Sequence, residues 1–154
     1  MRSGMALGAD GSAGVATLTR SYAKLIAGLG DGARVLLVAE RGGELVGMAQ
    51  LVYSGVGNAS HRAEVQRVAV ADTVRRTGIG RELMLAVESA AVQRRITLLW
   101  LTTHDGTDAC RFYEAIGYTK LGVVPNYSRR PDGTLWPGAF YFRELGASAT
   151  STEG

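Results

Sequence analysis

Two neighbouring stretches, Arg62-Ala63-Glu64-Val65-Gln66-Arg67-Val68-Ala69-Val70 and Arg75-Arg76-Thr77-Gly78-Ile79-Gly80-Arg81, decide the fold. The first alternates like a strand but breaks step: Ala63 and Val65 share one parity, Val68 and Val70 the other. Such a slip turns the core face to solvent unless the strand inserts an extra residue, so a β-bulge is expected around Gln66 and Arg67. The second stretch closes a strand-to-helix turn. Gly78 and Gly80 lack a β-carbon, so backbone N–H groups there can approach an anion, and the helix that follows starts with free donors and the positive end of its dipole. Together these features read as a pyrophosphate cradle.

Charge supports the same place. From Arg62 to Arg81 there are five arginines against Glu64 and Asp72, a surplus of three that equals the formal net charge of the whole chain, +3. A nucleic-acid-binding module would use that stripe differently: no aromatics are interleaved with the arginines, and the total surplus is small. Two other glycine motifs also fail. A dinucleotide fingerprint needs a third glycine near Leu83 and a strand ending at Gly78, and a P-loop needs Lys-Ser or Lys-Thr where Arg81-Glu82 stands.

Working outward, the chain of 154 residues has the length of one domain that can bury a core unaided. Its 21 glycines follow no period and come with only three prolines, which excludes collagen and wholesale disorder. A single cysteine, Cys110, excludes a disulfide framework and a thiolate zinc site, and suggests a reducing compartment, hence the cytoplasm. His61 and His104 lack metal-ligand company, so no metal is expected. No apolar run approaches a membrane span or a signal peptide, so no membrane partner is expected.

Leu18 to Leu29 carries apolar residues at helical spacing; Val35–Ala39 and Leu45–Tyr53 flank a Gly-Gly turn as a hairpin. Gly78 to Arg95 predicts a helix with Ile79, Leu83, Ala86, Val87 and Ala90 on one stripe, and with Leu85 and Val92 on the polar side, where partial cover is expected. Ile96 to Thr103 reads as a central strand, Thr107 to Ile116 as a short helix stopped by Gly117, and Tyr118 to Val124 and Ala139 to Leu145 as strands. Pro125 to Gly138 is expected to be a long loop, with Tyr127, Asp132 and Trp136 as a lid. The order gives a mixed α/β sheet in one domain, residues 1–146, followed by a small polar tail, 147–154.

The motif Arg75-x-x-Gly78-x-Gly80 behind a valine-rich strand, followed by Ala109-Cys110-Arg111-Phe112-Tyr113-Glu114-Ala115-Ile116-Gly117-Tyr118, resembles the GNAT superfamily of N-acetyltransferases. The resemblance covers roughly Arg34 to Leu145. His61-Arg62-Ala63-Glu64, Gly106-Thr107, Val124-Pro125-Asn126-Tyr127 and Pro131-Asp132-Gly133-Thr134-Leu135 look like its tabtoxin-resistance type, with implied toxin or antibiotic resistance. Thr102 departs from an aspartate of that type, and Gly106 from the asparagine common in the superfamily.

The resemblance implies a mostly antiparallel sheet flanked by helices and splayed at the coenzyme strand. It also implies acetyl-CoA as co-substrate and acyl transfer to a primary amine of a small molecule in a ternary complex. Val68, Ala69 and Val70 would line the pantetheine arm, with the Val68 N–H on the thioester oxygen; Arg75, Arg76, Thr77, Gly78, Ile79, Gly80 and Arg81 would hold the pyrophosphate. Tyr113 matches the general acid, and Glu64 stands at the spacing of a general base, against the plainer reading of an ion pair with Arg62 or Arg67. Thr102 and Tyr127 are candidate acceptor contacts. Cys110, with His104 the nearest candidate base, suggests a covalent route, and inert packing is the simpler account. Left open are a non-catalytic acyl-CoA-binding module, a protein N-terminal or lysine acetyltransferase, and a homodimer. The family usually begins with a strand and a further helix ahead of Leu18; either Met1–Gly14 replaces that strand or the sheet starts at Val35.

Overall fold

The computed structural model describes residues 32–146. The expected helix at Leu18–Leu29, a substitute strand in Met1–Gly14 and the tail beyond residue 146 lie outside the described residues. Six strands and two helices follow in the order β1 (Arg34–Arg41), β2 (Glu44–Tyr53), β3 (Arg62–Val70), α1 (Ile79–Gln93), β4 (Leu98–His104), α2 (Asp108–Ala115), β5 (Thr119–Arg129) and β6 (Leu135–Glu144). The strands form one sheet in the order β1-β2-β3-β4-β6-β5, antiparallel throughout except for the parallel pair β3 and β4.

That parallel pair is short. Arg62, Ala63 and Glu64 pair with Leu98, Leu99 and Trp100, and beyond Glu64 no residue of β4 pairs with β3. The strands diverge from there, and the sheet opens into a fork with Glu64 at its apex.

The expected bulge is present. Met48 pairs with Ala69 and Gln50 with Gln66, so Arg67 and Val68 together face Ala49, and Arg67 takes φ +54°. The inserted residue restores the inward face, and Ala63, Val65 and Val68 all reach the main core. Against them pack Leu83, Met84, Val87 and Ala91 of α1, Leu99 and Leu101 of β4, Tyr113 of α2 and Tyr141 of β6. Full burial of each valine, leucine or methionine side chain contributes about 1.5–3 kcal/mol. On α1 the buried stripe uses Met84 and Ala91 where Ala86 was expected, and Leu85 and Val92 stay more than half exposed.

The long loop expected over Pro125–Gly138 is instead mostly strand. β5 continues to Arg129 and β6 starts at Leu135, leaving a short turn built by Pro131-Asp132-Gly133. The pattern hid this because β5 is an edge strand and mostly exposed, so burial imposes no alternation on it. It also carries an irregularity: Val124 pairs with Gly138 and Ser128 with Trp136, so two extra residues are accommodated around Asn126, at φ +55°. The lid expectation falls with the loop. Tyr127 and Trp136 are strand residues, and the Asp132 carboxylate closes the turn, accepting from Thr134 N at 2.9 Å and Thr134 Oγ1 at 2.6 Å. The hydrogen bond from the Thr134 hydroxyl, above all, holds the Asp132 carboxyl below its usual range.

Candidate active site

The fork between β3 and β4 is the mouth of a cavity of about 510 Å³. One wall is β3 from Glu64 to Val68, the opposite wall Thr102, Thr103 and His104 of β4. Asp108, Ala109 and Tyr113 of α2 line it from one side, and Tyr127, Ser128 and Trp136 of the β5–β6 hairpin from the other; Arg75 also borders it. The sequence candidates Glu64, Val68, Arg75, Thr102, Tyr113 and Tyr127 therefore share one cavity.

Glu64 is half-buried at the apex of the fork, and its Oε2 accepts a hydrogen bond from Gln66 Nε2 at 2.8 Å. Gln66 lies on the same side of β3 as Glu64, two residues on, and only that parity could have flagged it. Val68 sits within the bulge and is 7% exposed. Ala69 and Val70 follow it on β3. Past the apex, the β4-facing edge of β3 has no strand partner among the described residues, so its backbone is presented to whatever enters the fork.

Tyr113 is 4% exposed, edge-on to Phe112 and Tyr118. Burial, and next the nearby Cys110 thiol, push its phenol well above the ordinary tyrosine range, so it stays protonated across neutral and moderately alkaline pH. A group in that state can donate a proton and cannot serve as a base.

The helix N-terminus departs in part from expectation. Gly78 is the N-cap of the fifteen-residue α1 at φ +88°, and a β-carbon there would meet nothing within 4 Å, which leaves room beside the free N–H groups of the first turn. At Gly80 the missing β-carbon also makes room for packing, since a β-carbon would lie 3.2 Å from Phe112 Cε1. Ile79 turns its side chain into a small cluster with Val46, Val70 and Val74. Arg75 pairs with Asp72 at 3.3 Å, the Thr77 hydroxyl donates to the Val74 carbonyl, and Arg76 takes φ +61°. Arg76, Thr77 and Arg81 are exposed around the helix start. Backbone donors with open space in front and arginines on the rim suit a pyrophosphate.

Cys110 is buried, and its Sγ donates to the His104 carbonyl at 3.3 Å. The His104 ring stacks on Trp136 at 5.0 Å, with the Arg130 guanidinium on the indole as well. The imidazole is thus engaged by Trp136 and the thiol by a carbonyl, an arrangement of packing and not of a nucleophile with its base. His104 and Trp136 line the cavity as an aromatic wall, a role that sequence spacing did not disclose.

A model of the acetyltransferase (GNAT) family matches residues 11–118, more than two thirds of the chain. The chain belongs to the GNAT family of acetyltransferases. The match takes in both glycine-bearing motifs, and its members use acetyl-CoA. Among solved structures, this GNAT chain is similar to a ribosomal-protein-alanine N-acetyltransferase from Brucella melitensis, at 23% identity and a TM-score of 0.72 over 82% of this chain and 78% of that one. An N-acetyltransferase from Staphylococcus aureus matches at 16% identity and a TM-score of 0.72, over 82% and 76%. An aminoglycoside 6'-N-acetyltransferase complexed with coenzyme A matches at 22% identity and a TM-score of 0.63, over 80% and 79%. At such identities these likenesses concern the fold. Among the described residues of this acetyltransferase, no helix is long and apolar enough to cross a membrane.

Proposed function

We propose that this acetyltransferase moves the acetyl group of acetyl-CoA to a primary amine of a small molecule by direct attack in a ternary complex. The observation that carries the reading is the fork itself: a candidate base at its apex, a buried protonated phenol on its wall and a basic helix N-terminus at its rim.

Acetyl-CoA supplies the activated thioester. The N–H groups at Gly78, Ile79, Gly80 and Arg81, with Arg75, Arg76 and Thr77, hold its pyrophosphate, and the open edge of β3 from Val68 through Ala69 to Val70 receives the pantetheine arm. An alkylammonium must lose a proton before it can attack, at a cost of about 4 kcal/mol at pH 7. Glu64 takes that proton. As the C–N bond forms, the Val68 N–H stabilises the carbonyl oxygen, a contribution of about 3 kcal/mol for one preorganised donor. The C–S bond then breaks, and Tyr113 gives its proton to the departing sulfur. Thr102 and Tyr127 hold the acceptor beside the aromatic wall.

The tabtoxin-resistance resemblance favours an amino-acid-like amine. The ribosomal-protein-alanine enzyme among the structural relatives favours a peptide N-terminus. A thiol-release assay with acetyl-CoA over lysine, spermidine, kanamycin and an alanine-terminated peptide separates them. Turnover of a free amine is the expected result; thiol release with none of the four, alongside measurable coenzyme binding, would favour an acyl-CoA-binding module.

A further inference from the structure

Gln50 is a polar side chain 0% exposed in the middle of β2, and neither its Oε1 nor its Nε2 has a hydrogen-bond partner among the described residues. A buried amide without partners is worse for the fold than an apolar side chain of the same shape. Its neighbours give it a use. Gln50 is the register partner of Gln66 on β3, and antiparallel partners project from the same face of a sheet, their β-carbons about 4.5–5.5 Å apart. Glu64, two residues from Gln66, shares that face. The Gln66 amide already spends its Nε2 on Glu64 Oε2, which leaves its Oε1 to accept. The bulge begins right after Gln66, so this is the last regular position of the β2–β3 ladder before the cavity wall changes course.

We propose that Gln50 is a positioning residue for the acceptor side of the site: its Nε2 donates to Gln66 Oε1 when the acceptor is bound. The amide row Gln50, Gln66, Glu64 then fixes Oε2 of the carboxylate and leaves Oε1 to the incoming amine. Side-chain rotation alone closes the row, because both amides reach beyond the spacing of their β-carbons. The inference rests on the reading of Glu64 as the base.

The test uses the full chain, acetyl-CoA and whichever of lysine, spermidine, kanamycin or the alanine-terminated peptide turns over fastest. Gln50→Met keeps the unbranched shape and removes the amide. The expected result is a five- to tenfold lower kcat, an unchanged KM for acetyl-CoA, and a melting temperature of the free protein equal to or above the parent's, which a merely structural glutamine would not give. Gln66→Met should lower kcat at least as much, and the double variant should be no worse than Gln66→Met alone. A parental kcat in Gln50→Met, or additive losses in the double variant, would overturn the proposal. Failure of both Gln50→Met and Gln50→Leu to fold would make Gln50 structural and overturn it too. Glu64→Gln separates the two levels. If it retains kcat, the base reading fails and the row with it; if it is inactive while Gln50→Met is silent, only the role of Gln50 fails.

Discussion

The Tyr127 ring lies against the α-carbon of Gly138 so closely that a β-carbon on residue 138 would sit 2.6 Å from Tyr127 Cδ1 and 2.9 Å from its Cβ. The ring is further held edge-on by Phe140 at 5.1 Å. Because the clash involves the base of the side chain, a swing of the ring tip cannot relieve it. Gly138→Ala should cost about 1–3 kcal/mol, the usual scale for overpacking. It should also raise KM for the acceptor more than KM for acetyl-CoA, since Tyr127 lines the cavity and is a proposed acceptor contact. Thermal melting and two-substrate kinetics check both halves, and an unchanged melting temperature would refute the packing argument.

Tyr113→Phe removes one hydroxyl from the cavity wall. A general acid typically contributes 100- to 10,000-fold, so kcat should fall by about 100-fold or more while the Kd for coenzyme A stays within a factor of two. An undiminished kcat would remove Tyr113 from the reaction.

Alkaline pH should destabilise the fold through the same residue and its neighbour. Burial raises the phenols of Tyr113 and Tyr118, the latter also because of Glu88 close by. Well below pH about 10 both phenols are protonated whether the chain is folded or not, and they leave stability unchanged. Above that, the unfolded chain loses its phenolic protons first, so folding stability falls as pH rises. Urea unfolding at pH 8, 10 and 11 should show a small decline in the first interval and a steeper one in the last, and Tyr118→Phe should reduce its slope.

Two substitutions at the start of α1 separate backbone conformation from packing. Gly78→Ala puts a β-carbon at φ +88°, a cost of about 1–2 kcal/mol, and should raise KM for acetyl-CoA several-fold. Gly80→Ala gains about 1 kcal/mol in helix propensity but must push the edge of the Phe112 ring, so its stability should stay close to the parent's. Equal effects of the two on melting temperature would contradict this division.

Arg143 closes the end of α2. Its Nη1 donates to the Ile116 carbonyl at 2.5 Å and lies 3.8 Å from Glu88, while Gly117 turns the chain at φ +100°, where a β-carbon would lie 3.0 Å from the same Nη1. Arg143→Met should lose about 1.5–3 kcal/mol, the scale of a hydrogen bond to a charged group, measured by denaturant unfolding. A loss below about 0.5 kcal/mol would assign the cap to Gly117 alone.

The broken parity between Val65 and Val68 revealed the bulge in the sequence because that strand is buried on the inserted side, where a slip is costly. The glycine turn and the Gly117 stop were legible for the related reason that φ above zero narrows the choice of residue. β5 was not, because an exposed edge strand with Asn126 in a left-handed conformation has no pattern to keep. Gln66, His104 and Trp136 were not legible as neighbours of one cavity either. Gln66 meets Glu64 through strand parity, but His104 and Trp136 meet across the β4–β6 pairing, which local spacing cannot report.

The three-residue seam between β3 and β4 also has a mechanical meaning. It joins two antiparallel half-sheets, β1-β2-β3 and β4-β6-β5, that share little other backbone pairing. A ligand arm laid into the fork would act as a splint between them, so the free protein should flex about Glu64 and stiffen on loading. The candidate base sits at the fulcrum, where such flexing displaces it least.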